Sequence, residues 1–315
     1  MRTAFINTLM QLAGEDERIF LLTGDLGFTV FENFRKQYPE RFLNIGVAEQ
    51  NMVGIASGLA LSGKIVFIYS IVPFLTMRPF EQIRNDVCYH NLNMKMIGVG
   101  GGYSYGVNGP THHALEDIAA MKALHNMSII CPGDPLEVKG AVKAIAATNG
   151  PFYLRLGKSS EPIIHPRPFL FKIGKGIMVK NGKDATIIST GNMLENAMLA
   201  ANMLKQKAVD VRVISMHTVK PLDRSIILKA AKETGIIVTL EEHSVMSGLG
   251  SSVAEVLTES DIPKVLFKKI AAPDAFAKMV GSQKYLREAA GLSVKAIADA
   301  VIKLFNKRAK VKKKL

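Results

Sequence analysis

The amino-acid sequence predicts an α/β fold built from two doubly wound domains, and three observations lead there. Short apolar runs alternate with longer amphipathic stretches through residues 1–157, a segment rich in Pro, Gly, Lys and Ser follows over 158–183, and the alternation resumes over 184–306. Such alternation marks parallel strands covered by helices on both faces: a strand buried on two sides is continuously apolar, whereas a crossover helix carries one apolar stripe. At 315 residues the chain suffices for two cores of ordinary size, and a single domain of this length would be unusual.

In the first half, strands are expected over 18–23, 64–69, 94–99, 127–131 and 151–155, and helices over 48–61, 80–91, 114–124 and 135–147. The segment 158–183 lacks long apolar periodicity and contains Pro162, Pro166 and Pro168, so it is expected to link the domains. Beyond it, strands are expected over 185–189, 210–215, 235–240 and 264–269, and helices over 194–205, 225–233, 251–258 and 293–305. Residues 307–315 form a basic tail with Lys307, Arg308, Lys310, Lys312, Lys313 and Lys314. No internal repeat is visible.

Composition narrows the class. Hydrophobic residues make up 48% and charged residues 21%, the balance of a packed globular chain, which excludes disordered and collagen-like classes. No apolar run approaches the ~20 residues that cross a bilayer. Glu15, Asp16 and Glu17 interrupt the N-terminal stretch before any signal-like cleavage site, so the expected location is the cytoplasm. Cys88 and Cys131 are too few and too far apart for a disulfide framework, zinc site or redox pair. The net charge is 40 − 27 = +13, and the tail supplies much of it. A tail of this kind is either an arm for RNA or a membrane surface, or the solvated end of the last helix.

Generic chemical motifs fail on inspection. The stretch from Gly58 to Gly63 and Lys64 nearly matches a P-loop, but Ile65 stands where a magnesium-binding Ser or Thr is required, so Gly63 is expected to stop a helix. The glycines Gly98, Gly100, Gly101 and Gly102 follow a strand, yet Tyr103 and Tyr105 displace the third glycine of a dinucleotide fingerprint. Their position at the carboxyl end of the sheet still marks a ligand-binding region. His112, His113 and Glu116 fit no zinc spacing, and adjacent histidines are usually one structural and one exposed. Neither a Gly-x-Ser-x-Gly elbow nor a cysteine beside a base is present, and polar groups confined to strand ends and helix starts point to borrowed cofactor chemistry.

The run from Phe42 through Glu49, Gln50, Asn51, Gly54 and Gly58 resembles the pyrimidine-domain signature of transketolases and 1-deoxy-xylulose-5-phosphate synthases. Three segments follow in the family's order: Phe80 to Arg84, Gly109 to Asp117 with His112, and Ile129 to Asp134 with Pro132. Thr190-Gly191-Asn192 and the stretch from Glu241 to Gly250 are similar to the family's C-terminal domain. The resemblance implies a thiamine-diphosphate-binding (pyrimidine) fold over 1–157 and a transketolase C-terminal-domain-like fold over 184–306. The family's diphosphate-binding domain, with its Gly-Asp-Gly signature and paired asparagines, has no counterpart; Gly24-Asp25-Leu26 is not that signature. The resemblance therefore implies a separate N-terminal subunit that binds the diphosphate and its magnesium ion, thiamine diphosphate shared between the chains, an α₂β₂ assembly, and silence of this chain alone.

Family roles transfer residue by residue. Glu49, in the first turn of its helix, matches the glutamate that hydrogen-bonds the aminopyrimidine ring nitrogen and promotes the imino tautomer; without the family it is simply an acid at the positive end of a helix dipole. Phe74 is the expected stacking residue on the pyrimidine, with Leu75 as the alternative and Tyr69 in the same segment. Asp25 aligns near the cofactor, or else serves a turn. His112 matches a histidine that contacts substrate and moves protons. Asn108 replaces a family aspartate that contacts the donor sugar hydroxyl; an amide can hydrogen-bond but carries no charge. Arg155 matches an arginine that holds the sugar phosphate, and Arg78 an arginine of the synthase-like branch near the active site. His243 is assigned a structural role.

The leading function is the C-terminal subunit of a two-chain transketolase that moves a two-carbon ketol unit between sugar phosphates. The alternatives are a component like 1-deoxy-xylulose-5-phosphate synthase or the 2-oxo acid dehydrogenase β-subunit and, in another class, a non-catalytic scaffolding subunit.

Overall fold

The computed structural model describes residues 1–158, 161–165, 169–262 and 265–312, so Pro166, Pro168, Lys264, Lys313 and Lys314 lie outside the described residues. The strands among them are β1 (Ile19–Thr23), β2 (Phe42–Asn44), β3 (Ile65–Ile71), β4 (Met94–Val99), β5 (Ser128–Ile130), β6 (Phe152–Leu156), β7 (Ile177–Lys180), β8 (Ala185–Ser189), β9 (Val211–Ser215), β10 (Thr218–Lys220), β11 (Ile236–Ser244) and β12 (Leu266–Ala272). One sheet has the order β10-β5-β6-β4-β3-β1-β2 and is parallel except at β10. The other has the order β12-β11-β8-β9-β7 and is parallel except at β7. This is the expected pair of helix-covered α/β sheets.

The two-residue period of a strand divides the first sheet's side chains between two cores. Leu22, Val66 and Ile68 face Met52, Val53 and Ala56 of the helix Glu49–Leu61. Leu21, Phe67 and Tyr69 face Phe5 and Leu9 of the helix Arg2–Glu15. Full burial of such side chains is worth about 1.5–3 kcal/mol each. In the second domain, the helices Leu194–Lys205 and Val294–Lys312 share a core with Val211, Val213 and Val238.

Several expectations are corrected. β2 and β10 are three residues long, too short to show a period, and β7 lies inside the segment expected as linker. The helices Arg2–Glu15 and Gln283–Ala289 were not anticipated. The helix expected over 80–91 is a short turn, Phe80–Gln82, that widens into a π-helix, Ile83–Tyr89. The helix expected to begin at 114 begins at Asp117, because Ala114 bridges Gly102 and its carbonyl accepts from Arg155. The last helix continues through Lys312, so the tail begins as helix. Gly63 does stop its helix, with φ +84 and its N–H bonded to the Ala60 carbonyl.

The domains are joined by shared structure. β10 follows β9 in the chain yet pairs antiparallel with β5 of the other sheet. The His243 ring is buried, with Nδ1 donating to its neighbour's carbonyl at 2.9 Å and Nε2 accepting from the Ala119 N–H at 3.3 Å, so it acts as a structural tie between the domains.

Candidate active site

In the first sheet, β1 has β2 on one side and β3 on the other, so the chain leaves neighbouring strands in opposite directions. The crevice this opens at the carboxyl ends of β1 and β3 is where open α/β folds bind ligands. The chain reaches it from β2 through Gly46, whose φ of +76 turns the backbone so that the Ala48 N–H meets the Gly46 carbonyl at 2.8 Å. Glu49 begins the next helix there, only 2% exposed.

Glu49 Oε1 accepts from Ser70 Oγ at 3.0 Å, and Oε2 accepts from Arg78 Nη1 at 2.7 Å. The carboxyl group stands in the first turn of its helix, at the positive end of the helix dipole. Gly24, at the end of β1, lies beneath: a Cβ there would stand 3.5 Å from Oε1. Asp25 beside it is exposed, in left-handed backbone with φ 55, and its carboxylate accepts from Asn44 Nδ2 at 2.9 Å. It forms the rim of the crevice rather than its floor.

Phe74 and Leu75 are separated by burial. Leu75 is enclosed in the core, whereas Phe74 is half-buried, with the Arg78 guanidinium carbon 4.1 Å from its ring centroid. The His112 ring meets Phe74 edge-on at 5.0 Å, and Tyr105 is 6.2 Å from His112. Glu49, Arg78, Phe74 and His112 thus form one continuous cluster. His112 Nδ1 pairs with Thr111 Oγ1 at 3.0 Å, and Nε2 has no hydrogen-bond partner among the described residues. Its pKa lies below the ordinary histidine value, through burial first and then through the positive fields of His113 and Arg78. His113 is the structural member of the pair, buried and donating from Nε2 to the Gly106 carbonyl at 3.2 Å.

The loop bearing His112 is braced by the second domain. Glu242 accepts from the Tyr103 N–H at 3.2 Å, from Gln283 at 2.9 Å, and from Arg287 through Nε at 2.9 Å and Nη2 at 2.8 Å. Gly102, with φ +68, is obligatory here, because a Cβ would collide with the Glu242 carboxylate. The Gly281 N–H also bonds the Gly106 carbonyl. Asn108 sits exposed on the outer turn of this loop.

Two expected site residues are placed elsewhere. Tyr69 is 1% exposed, its ring edge-on to Phe31 at 4.7 Å and stacked with Phe5 at 6.1 Å. The strand period turns it away from the Glu49 side, so it presents no face to a ligand. Arg155 is 4% exposed, its Nε 2.7 Å from Asp117 Oδ2 and its Nη2 donating to the carbonyls of Ala114 at 2.8 Å and Glu242 at 3.0 Å. Its guanidinium is engaged as an interdomain strut instead of being turned to the crevice: β6 is buried on both faces, and a charge in it must find its partner inside the protein.

The sequence reading missed Lys158, Ser70 and Glu242. Lys158 lies just past the end of β6, half-exposed, with Nζ 4.6 Å from the Tyr105 ring centroid. The signal was available: the first cation beyond the carboxyl end of a central strand is better placed for a ligand than one within it.

The cluster fits a planar aminopyrimidine. It offers an aromatic face, a buried carboxylate at the edge of that face, and a flat nitrogen-bearing cation already seated between them. Among the described residues no group of three or more His, Cys, Asp or Glu side chains could hold a metal ion, and no helix is long and apolar enough to cross a membrane.

Comparison with known proteins identifies the two domains. Residues 1–162 match the transketolase pyrimidine-binding domain and residues 174–297 the transketolase C-terminal domain. The chain is 38% identical over 310 residues to a putative transketolase C-terminal section of Methanocaldococcus jannaschii, covering 98% of this chain and 96% of that one. It is 40% identical over 264 residues to one subunit of the apulose-4-phosphate transketolase of Phocaeicola vulgatus, covering 83% of this chain and 85% of that one. A solved split-gene transketolase, described as an inactive β4 tetramer, superimposes with a TM-score of 0.87 at 38% identity over 97% of both chains. The chain belongs to the transketolase family, a thiamine-diphosphate-dependent family, and carries its pyrimidine-binding and C-terminal domains in that order.

Proposed function

We propose that this chain is the C-terminal subunit of a split transketolase, which transfers a two-carbon ketol unit between sugar phosphates once an N-terminal subunit supplies the diphosphate-binding domain and the magnesium ion, in an α₂β₂ assembly. The observation that carries the reading is the buried carboxylate of Glu49 at the switch point, with Phe74 and His112 in the same cluster.

Bound thiamine diphosphate supplies the carbon nucleophile of ketol transfer. Glu49 holds the proton at the ring-nitrogen position, kept oriented by Ser70. Phe74 provides the stacking face. Asp25, at the rim, faces the shared cofactor and the partner. His112, largely neutral at neutral pH because its pKa is lowered, takes and returns a substrate hydroxyl proton at Nε2. Asn108 hydrogen-bonds a donor hydroxyl. Lys158 and Arg78 are the cations placed to meet a sugar phosphate, in the role expected of Arg155.

The test is ketol transfer by the two-chain complex, with pyruvate decarboxylation measured alongside. Glu49→Gln should lower ketol transfer about 10²–10⁴-fold, the range for a lost proton-transfer group. Full activity of Glu49→Gln, or turnover of pyruvate in place of ketol transfer, rejects the proposal.

A further inference from the structure

Arg78 stacks a flat, nitrogen-rich cation on Phe74 beside the Glu49 carboxylate. Its guanidinium is 4.1 Å from the Phe74 ring centroid and donates from Nη1 to Glu49 Oε2 at 2.7 Å. A ring stacked on Phe74 and hydrogen-bonded to Glu49 needs the same volume and the same oxygen, because Oε1 is engaged by Ser70 at 3.0 Å. We propose that Arg78 is an internal stand-in for the pyrimidine, pairing with Glu49 in the free subunit and swinging out to admit the ring. This rests on the cofactor reading above.

The surroundings make the exchange workable. Ser70 serves only Oε1, and a buried carboxylate oxygen left without a donor costs stability, so Arg78 fills Oε2 before the ring arrives. The Glu49 side chain is 1% exposed and stays in place, whereas that of Arg78 is 43% exposed and has an exit to solvent. The Arg78 carbonyl is held by Gln50 Nε2 at 3.2 Å, so the backbone is anchored and the side chain alone moves. The released guanidinium remains on the His112 side of the crevice, whose charge it already influences, and there it can meet an anionic sugar. Ring binding therefore precedes and prepares sugar binding.

Arg78→Met tests the exchange. In the two-chain complex, equilibrium dialysis should show thiamine diphosphate bound about tenfold tighter by R78M than by wild type, equivalent to about 1.4 kcal/mol. The isolated R78M chain should unfold at lower urea than wild type, and the double variant R78M/E49Q should recover most of that loss. Arg78→Lys keeps the charge but not the flat stack, and should bind the cofactor with intermediate affinity; it supplies the comparison if isolated R78M does not fold. Cofactor binding by R78M that is unchanged or weaker than wild type overturns the proposal, because Arg78 then holds the ring and does not yield to it. Glu49→Gln reports separately on the cofactor reading: wild-type ketol transfer by that variant defeats the reading whatever R78M does.

Discussion

Asp117→Ala would strand the guanidinium of Arg155 inside the protein, and the contacts set the size of the effect. Arg155 is 4% exposed and Asp117 1%, so water cannot screen the loss. The substitution removes the bonds from Arg155 Nε at 2.7 Å, Arg155 Nη2 at 3.3 Å and the Tyr153 hydroxyl at 2.6 Å. Only the carbonyls of Ala114 and Glu242 still accept from Arg155, at 2.8 and 3.0 Å. Leaving one member of a buried pair alone costs about 3–5 kcal/mol, and the two remaining carbonyls hold this case toward the lower end. Adding Arg155→Met removes the orphaned charge and should give a coupling of about 2 kcal/mol in a double-mutant cycle. Urea unfolding of the isolated chain, followed by circular dichroism, measures both. A single-variant loss below about 0.5 kcal/mol, within the range of ordinary surface changes, would refute the strut. So would an Arg155→Met complex with unchanged stability and a raised KM for phosphorylated sugars, which would return Arg155 to the ligand.

Glu242→Gln keeps the shape of the interdomain brace but not its charge. It should cost about 1.5–3 kcal/mol and raise hydrogen–deuterium exchange across residues 103–113, and unchanged exchange there would separate the brace from the His112 loop. Lys95 is buried with Nζ 2.7 Å from the carbonyls of Thr148 and Gly150, and burial draws its pKa from 10.5 down to about 7. Between those values the unfolded chain carries a proton that the folded chain has released, so this lysine makes stability rise with pH across the window and level off above it. Lys95→Met should remove that contribution, and identical slopes in wild type and variant between about pH 7.5 and 10 would refute it.

Legibility in the sequence followed the range of the physical effect. The strands β3, β4 and β8 appear as predominantly apolar runs because both faces of each are buried, so their places needed no knowledge of neighbours. β10 has no such run: its three residues form a strand only because β5 offers a free edge across the domain boundary. The helix start at Asp117 moved for the same reason, since Ala114 is claimed by Gly102 and Arg155 from other parts of the chain.

The candidate site divides in the same way. Glu49 and His112 stand in local patterns, a helix start after a strand and a pair of histidines after a glycine loop, and the tertiary structure brings both to the Phe74 cluster. The burial that separates Phe74 from Leu75, turns Tyr69 into the aromatic core, and engages Arg155 while leaving Lys158 half-exposed depends on which elements pack above each strand end. By itself the sequence determined two α/β domains, because apolar period and backbone turn chemistry act between near neighbours, whereas Glu49 was singled out only through the family resemblance of the run around it. Only the tertiary structure decided which cations meet the crevice and which are struts, because the energy of a charge depends on how much water and which opposing groups the folded chain leaves around it.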